Sequence, residues 1–196
     1  MTNLYFVRHA HSTYTPDERK RPLSAKGILD AEEVTNLLRT ENIDHVVSSP
    51  YRRAIQTVEG IAKFIEKEII IEEGFRERIL SERPVEDFDQ AIKKVWSDPE
   101  FSWKSGESNK TAQARGVLAT LEILDYFEGK NIVIGTHGNI MVLIMNFFDE
   151  TYNLDFWKSL QMPDIYKLEF DKAALKNVQR ITTIGSSESE NMLNGS

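Results

Sequence analysis

The chain has 196 residues, of which 40% are hydrophobic and 28% charged, and its formal net charge is −7 at pH 7. This composition is typical of one soluble domain with a sizeable core, and the negative charge argues against nucleic acid or an acidic membrane as a partner. No cysteine is present, which excludes disulfide bonds, thiolate metal sites and a cysteine nucleophile. The sequence has neither the pattern of a secretory signal nor an apolar run of about 20 residues that could span a membrane, so we expect a cytoplasmic protein.

The predicted elements begin with a strand, because Leu4 to Val7 is an apolar run that ends abruptly in Arg8 and His9. The remaining predictions, in chain order, are a helix capped by Ser24, a strand at 45–49, a helix at 51–66, a short buried strand at 69–71, helices at 86–96 and 111–127, a strand at 131–136, an apolar helix at 140–148 and an edge strand at 165–170.

Strands that alternate with amphipathic helices indicate an α/β fold. We predict a three-layer α/β/α arrangement, with a mostly parallel central sheet flanked by helices on both faces. No linker divides the chain, so we predict a single catalytic domain at residues 1–181. Residues 182–196 are rich in Ser, Glu, Asn and Gly, and we predict that they form a mobile tail.

The segment between the first strand and the first helix, residues 13–22, is polar and contains two prolines, which indicates a surface loop. Its charged run from Asp17 to Arg21 has two possible interpretations. The run is either ordinary solvated surface or the rim of a pocket, and the sequence leaves both open.

Three predicted strands are followed by histidine or arginine. Arg8 and His9 follow the first strand, Arg53 comes shortly after the second, and His137 follows the strand at 131–136. Because parallel strands end at the same edge of a sheet, we expect these groups to meet in one cleft. Guanidinium groups beside imidazoles suit a phosphoryl group, which carries negative charge, better than a metal cation.

Phosphoryl chemistry needs a nucleophile and a proton donor. Without cysteine, the candidate nucleophiles are serines that follow the strands, an aspartate or a histidine; the serines are Ser12, Ser48 and Ser49. A neutral imidazole can attack phosphorus directly, and His9 is the best placed because it follows a strand immediately. For the proton donor, Glu77 is the first candidate and Glu82 the second.

Several segments resemble, in family order, the motifs of the histidine phosphatase superfamily, the phosphoglycerate-mutase-like proteins. The segments are Arg8-His9-Ala10, Pro22-Leu23-Ser24 with Gly27, Ser49-Pro50-Tyr51-Arg52-Arg53-Ala54 with Thr57, Phe75-Arg76-Glu77, Gly106-Glu107-Ser108 with Arg115, and Thr136-His137-Gly138-Asn139. Together they span roughly residues 1 to 150, and this combination is much more specific than any one motif.

The resemblance implies roles for individual residues. His9 would be the phosphorylated nucleophile and Glu77 the proton donor, while Arg8, Arg53 and His137 would surround the phosphate. The same motifs imply that four further residues bind the substrate. These residues are Ser12, Glu107, Gly138 and Asn139.

The chain departs from the family pattern at five places, two of which are His11, where Glu or Gln is common, and Asp30, where Gln is common. Ala10 stands where glycine is usual, and Thr15 where many members have asparagine. Glu77 is not followed by the usual Gly-x-Trp-Glu-Gly, so Glu82 stays an alternative candidate for the proton donor.

We therefore expect a phosphatase that acts on a small phosphoester and needs no metal or cofactor. A phosphoglycerate mutase is the close alternative, because it shares the pocket. A metal-dependent hydrolase would use His9, His11 and His137, although neighbouring arginines repel a cation. A non-catalytic module that binds phosphorylated ligands would keep the arginines without needing His9.

Overall fold

Six strands form one sheet in the structure, a computed structural model that describes residues 1–182. They are β1 (Thr2–Arg8), β2 (His45–Ser48), β3 (Ile69–Ile71), β4 (Asn131–Thr136), β5 (Asp164–Asp171) and β6 (Ala174–Arg180). Their order across the sheet is β3-β2-β4-β1-β5-β6. The pairs from β3 to β1 are parallel, and β5 and β6 join antiparallel. The predicted mostly parallel sheet is confirmed.

Helices cover both faces of this sheet. They are α1 (Ala25–Leu38), α2 (Arg52–Phe64), α3 (Phe88–Ser97), α4 (Asn109–Tyr126), α5 (Gly138–Phe148) and α6 (Leu154–Ser159). Alternate side chains of β1 enter separate cores: Leu4 and Phe6 pack with α4 and α5, whereas Tyr5 and Val7 pack with α1 and α2. Because both faces of β1 are buried, its sequence is a continuous apolar run. The three-layer prediction is confirmed.

The two edges of the sheet differ from the prediction. The segment at 69–71 was expected to be buried, but Ile70 and Ile71 are 45% and 48% exposed, because β3 is an edge strand that pairs only with β2. The segment at 165–170 was expected at an edge, but β6 covers it. The sequence does not reveal β6, because the turn before it uses Lys172 at a φ of 54° without glycine or asparagine.

Of the predicted tail at 182–196, only Thr182 lies within the described residues. Along residues 1–182, no helix combines the length and the apolar character that crossing a membrane requires.

Thr57 of α2 holds the turn that follows β1. Its hydroxyl oxygen accepts a hydrogen bond from the Ala10 amide at 3.0 Å, and the hydroxyl donates to the Arg53 carbonyl at 2.7 Å. The side chain is fully buried. One hydroxyl thus fixes the backbone beside His9 against the helix that carries Arg53.

We expect Thr57→Val to destabilise the fold, because it leaves the buried Ala10 amide without an acceptor. Such an orphaned donor costs about 1–3 kcal/mol, which urea denaturation would measure as a lower free energy of unfolding. Thr120→Val is the matched control. Thr120 is also fully buried, but its hydroxyl donates to the Gly116 carbonyl and no amide depends on it. Equal losses in the two variants would contradict this account.

Candidate active site

The strand ends meet at one edge of the sheet, as predicted. Arg8, the last residue of β1, lies opposite Thr136, the last residue of β4, and β2 ends beside Gly135. The residues that follow these strands are therefore neighbours. The ring centroids of His9 and His137 are 5.1 Å apart.

The hydrogen bonds of His9 determine which ring nitrogen is free. Its Nδ1 lies 2.7 Å from the Ala10 carbonyl oxygen, which can only accept, so Nδ1 carries the proton. The lone pair is then on Nε2, which accepts a hydrogen bond from Arg53 Nε at 3.3 Å. His9 is held with its nucleophilic nitrogen toward the arginine cluster.

The surroundings of His9 keep its ring neutral. Burial is the main cause that lowers the pKa of His9, to about 3. The hydrogen bond to Ala10 acts in the opposite direction, but the positive charges of Arg53, Arg8 and Arg21 lower the pKa further. A neutral imidazole is the form that can attack phosphorus.

His137 is completely buried beside His9. Its Nε2 lies 2.8 Å from the hydroxyl oxygen of Ser49, which also accepts a hydrogen bond from the Tyr51 amide at 3.3 Å. A serine hydroxyl that donates to Nε2 leaves the imidazole proton on Nδ1. Within residues 1–182, Nδ1 has no hydrogen-bond partner. Burial first, and then the nearby His9 and arginines, lower the pKa of His137 well below its ordinary value.

Arg8 is held along one edge of its guanidinium group. Its NH1 donates to the carbonyl oxygens of Leu160 and Gln161 at 3.2 and 3.1 Å. Its other edge faces the start of α5: a Cβ on Gly138 would lie 3.0 Å from Nε and 3.3 Å from NH2. Glycine at position 138 therefore lets the guanidinium approach the helix terminus closely.

The loop at 13–22 reaches the second arginine of the cluster. Arg53 NH1 donates to the backbone oxygen of Glu18 at 2.8 Å and lies 3.2 Å from its carboxylate. The same carboxylate pairs with Arg21, whose guanidinium also lies over the ring of Tyr14. The loop therefore contacts the arginine cluster and is more than solvated surface. Sequence analysis left both interpretations open and did not identify Glu18 or Arg21 as site residues.

Glu77 lies at the N-terminus of α5. Its carboxylate oxygens accept hydrogen bonds from the amides of Arg78, Ile140 and Asn139 at 2.8, 3.1 and 3.2 Å. Its negative charge acts on both Arg8 and Arg53. Glu77 and Asn139 therefore share the helix terminus beside the arginine cluster.

Two contacts position Glu77 without the usual family continuation. Thr136 donates its hydroxyl to the Phe75 carbonyl at 3.0 Å, and Arg115 NH1 donates to the carbonyls of Gly74 and Arg76 at 2.8 and 2.9 Å. These bonds anchor the chain just before Glu77. In contrast, Glu82 is exposed and lines a separate cavity of about 890 Å³ beside α3.

Glu107 and Ser12 were also predicted to bind the substrate. In the structure Glu107 is paired with arginines, and Ser12 lies near the surface. Glu107 makes a bidentate pair with Arg115 at 2.7 and 2.8 Å, and Arg76 lies 3.4 Å away. Burial acts to raise the pKa of Glu107, but these two arginines hold it below its ordinary value. Ser12 is partly exposed and forms an isolated backbone bridge with Leu23.

The third histidine of the alternative metal site, His11, does not join His9 and His137. His11 is exposed, and its Nδ1 lies 2.8 Å from the hydroxyl of Ser24. In the part of the chain that the structure describes, no group of three or more His, Asp or Glu side chains is arranged to hold a metal ion.

Comparisons with known proteins agree on one family. A model described as the histidine phosphatase superfamily (branch 1) matches residues 4–181. A probable phosphoglycerate mutase GpmB of Enterobacter sp. (strain 638) is 27% identical over 159 residues, which are 70% of each chain. The structure of phosphoserine phosphatase from Entamoeba histolytica in complex with phosphoserine has a TM-score of 0.77 at 23% identity, covering 94% of this chain and 98% of that one. Mycobacterial glucosyl-3-phosphoglycerate phosphatase has a TM-score of 0.69 at 17% identity, covering 91% and 96%. The fold is shared with both solved structures.

The neutrality of His9 predicts a pH dependence of stability. Its pKa is about 3 in the fold but near 6.5 in an unfolded chain. Between these values the unfolded chain binds the extra proton, so stability falls as the pH falls. Between pH 7 and pH 5, we expect the free energy of unfolding to fall by about 2 kcal/mol more in the wild type than in His9→Gln. Urea denaturation of both proteins at the two pH values measures this difference. Parallel pH profiles for the two proteins would contradict a buried neutral His9.

Proposed function

We propose that the chain, which belongs to the histidine phosphatase superfamily, is a phosphatase that hydrolyses phosphate monoesters through a phosphorylated His9. The observation that carries this proposal is the neutral His9 imidazole, with its Nε2 lone pair toward Arg53 and the charges of Arg8 and Arg21 close by. A phosphoryl group is the anion whose charge and shape suit such a ring of donors.

In the first step, His9 Nε2 attacks phosphorus and the bond between phosphorus and the ester oxygen breaks. Glu77, in its acid form, gives its proton to the departing alkoxide. The phosphoryl group remains on His9 as a phosphoramidate. Arg8, Arg53 and the Nδ1–H of His137 bind its oxygens, which carry the developing charge.

In the second step, a water molecule attacks the phosphorus of phosphorylated His9. Glu77, now a carboxylate, takes a proton from that water, and the bond between nitrogen and phosphorus breaks. Inorganic phosphate leaves, and His9 and Glu77 return to their starting protonation states. The arginines supply the positive charge throughout, so the proposed reaction uses no metal and no cofactor.

A phosphoglycerate mutase is the second candidate, and the 27% identity to a probable phosphoglycerate mutase favours it. A mutase would use the same phosphorylated histidine but return the phosphoryl group to its substrate instead of to water. Two of the proteins whose structures share the fold are named for phosphoserine and glucosyl-3-phosphoglycerate, both small phosphate esters that bear a carboxylate. We propose that the substrate is a small phosphoester of this kind.

The decisive test compares the hydrolysis of p-nitrophenyl phosphate by the wild type, His9→Ala and His11→Ala in excess chelator. We expect an active wild type, a loss of roughly a hundredfold or more in His9→Ala, and little change in His11→Ala. Quenching with alkaline detergent, which preserves the acid-labile phosphoramidate, should trap labelled phosphoryl groups from the substrate on the wild type but not on His9→Ala.

The other outcomes separate the alternatives. Activity that disappears with the chelator and with His11→Ala would identify a metal-dependent hydrolase. Conversion of 3-phosphoglycerate to 2-phosphoglycerate faster than phosphate release would identify a mutase. Phosphate binding without turnover on a panel of small phosphoesters would identify a binding module.

The proposed role of Glu77 can be tested separately, because a proton donor accelerates hydrolysis most when the leaving group is poor. We expect Glu77→Gln to slow the hydrolysis of an alkyl ester such as phosphoserine at least tenfold more than that of p-nitrophenyl phosphate. Measuring kcat/KM for both substrates tests this. Glu82→Gln is the control and should slow neither, and the reverse pattern would make Glu82 the proton donor.

A further inference from the structure

Residues 160–161, which precede the hairpin of β5 and β6, contact the candidate active site through their backbone. This short segment supplies both carbonyl oxygens that accept hydrogen bonds from Arg8 NH1. NH1 has two hydrogens, so these two bonds use both of its donors. The edge of the guanidinium group that carries Nε and NH2 faces Gly138 at the N-terminus of α5. The position of residues 160–161 therefore determines where Arg8 points.

Asp164, the first residue of β5, fixes this segment. Its Oδ2 accepts a hydrogen bond from the Gln161 amide at 2.9 Å, and its Oδ1 accepts one from the Ile165 amide at 3.1 Å. Asp164 is only 4% exposed, although it is acidic. It also lies opposite Arg8 in the antiparallel pairing of β1 with β5. A buried carboxylate thus supports the backbone that holds Arg8.

Arg180, the last residue of β6, holds Asp164. Its Nε and NH2 donate to the two oxygens of Asp164 at 2.8 and 3.1 Å, which is a bidentate ion pair. A buried carboxylate needs such a partner, because an unpaired charge there would be strongly unfavourable. None of the sequence motifs that resemble the family includes Asp164 or Arg180.

We propose that the ion pair between Asp164 and Arg180 positions Arg8 for phosphate binding. The connection runs from Arg180 to Asp164, from Asp164 to the amide of Gln161, and from the carbonyls of residues 160–161 to Arg8. Neither Asp164 nor Arg180 contacts the phosphate, so both are positioning residues. This inference rests on the proposed function in one respect, because Arg8 is assigned there to the phosphate.

Arg180→Gln removes the charge and the fork of the arginine while keeping an amide that can donate one hydrogen bond. We expect it to weaken the binding of inorganic phosphate about fivefold to tenfold and to raise KM more than it lowers kcat. Arg180→Lys should recover only part of the loss, because a lysine cannot make the bidentate pair. Titration calorimetry with inorganic phosphate measures the binding directly.

The matched control is Glu169→Gln in the same hairpin. Glu169 also joins β5 to β6, through Asn177 at 3.2 Å, and it pairs with Lys167, but it has no contact with residues 160–161. We expect this variant to bind phosphate like the wild type. Thermal unfolding of both variants shows whether the hairpin has been destabilised to a similar degree.

A double-mutant cycle with Arg8→Gln separates positioning from a general effect on the fold. If Arg180 acts through Arg8, then Arg180→Gln should weaken phosphate binding in the wild type but not in the Arg8→Gln background. An equal loss in both backgrounds, or no loss in the wild type, would overturn the inference. Failure of the wild type to bind phosphate at all would overturn it as well.

The same proteins distinguish this inference from the proposed function. Coupling between Arg180 and Arg8 in phosphate binding, together with no hydrolysis and no phosphorylated His9, would reject the proposed reaction but leave the positioning role intact. Hydrolysis through His9 without any coupling would reject the positioning role alone.

Discussion

The candidate site depends on gathering three guanidinium groups around a buried imidazole. Bringing Arg8, Arg21 and Arg53 close to one imidazole is unfavourable, because burial removes water from Arg8 and Arg53 and the charge of Arg21 repels that of Arg53. Neutral and acidic acceptors offset this repulsion: backbone carbonyls hold one edge of Arg8, and Glu18 holds Arg53 and Arg21. Burial first, and then the charges of this cluster, keep His9 unprotonated, and a histidine must be unprotonated to act as a nucleophile. The placement of these charged groups around His9 therefore underlies both the electrostatics of the site and the proposed chemistry.

The parts of this site that follow strands could be predicted from the sequence. An apolar run ending in Arg8 and His9, and a second ending in His137, indicate parallel strands whose ends meet. The rings of the two histidines are indeed neighbours, and the order of the motifs pointed to the correct family. Local patterns were sufficient to predict these residues, because the register of the parallel strands places the residues after them side by side.

The contacts that the sequence did not reveal are long-range or lie in segments without periodicity. Glu18 and Arg21 belong to a polar loop whose composition fits a solvated surface equally well. Arg180 lies on a strand whose preceding turn has no glycine or asparagine, and it pairs with Asp164, which is 16 residues away in sequence. Ser49 was considered only as a nucleophile, whereas in the structure it orients His137. Each of these roles depends on a partner that no local pattern identifies.

The carboxylate of Glu18 has a consequence for the end of the proposed reaction cycle. Because Glu18 pairs with both Arg53 and Arg21, a phosphate can take these donors only by exchanging with a tethered anion. The net affinity for phosphate in this proposed cycle is then a difference between two ion pairs, and it is smaller than the affinity of the bare arginines would be. After hydrolysis the same carboxylate returns to the guanidinium groups as inorganic phosphate departs. In the proposed cycle, this exchange favours the release of the product and limits inhibition by inorganic phosphate.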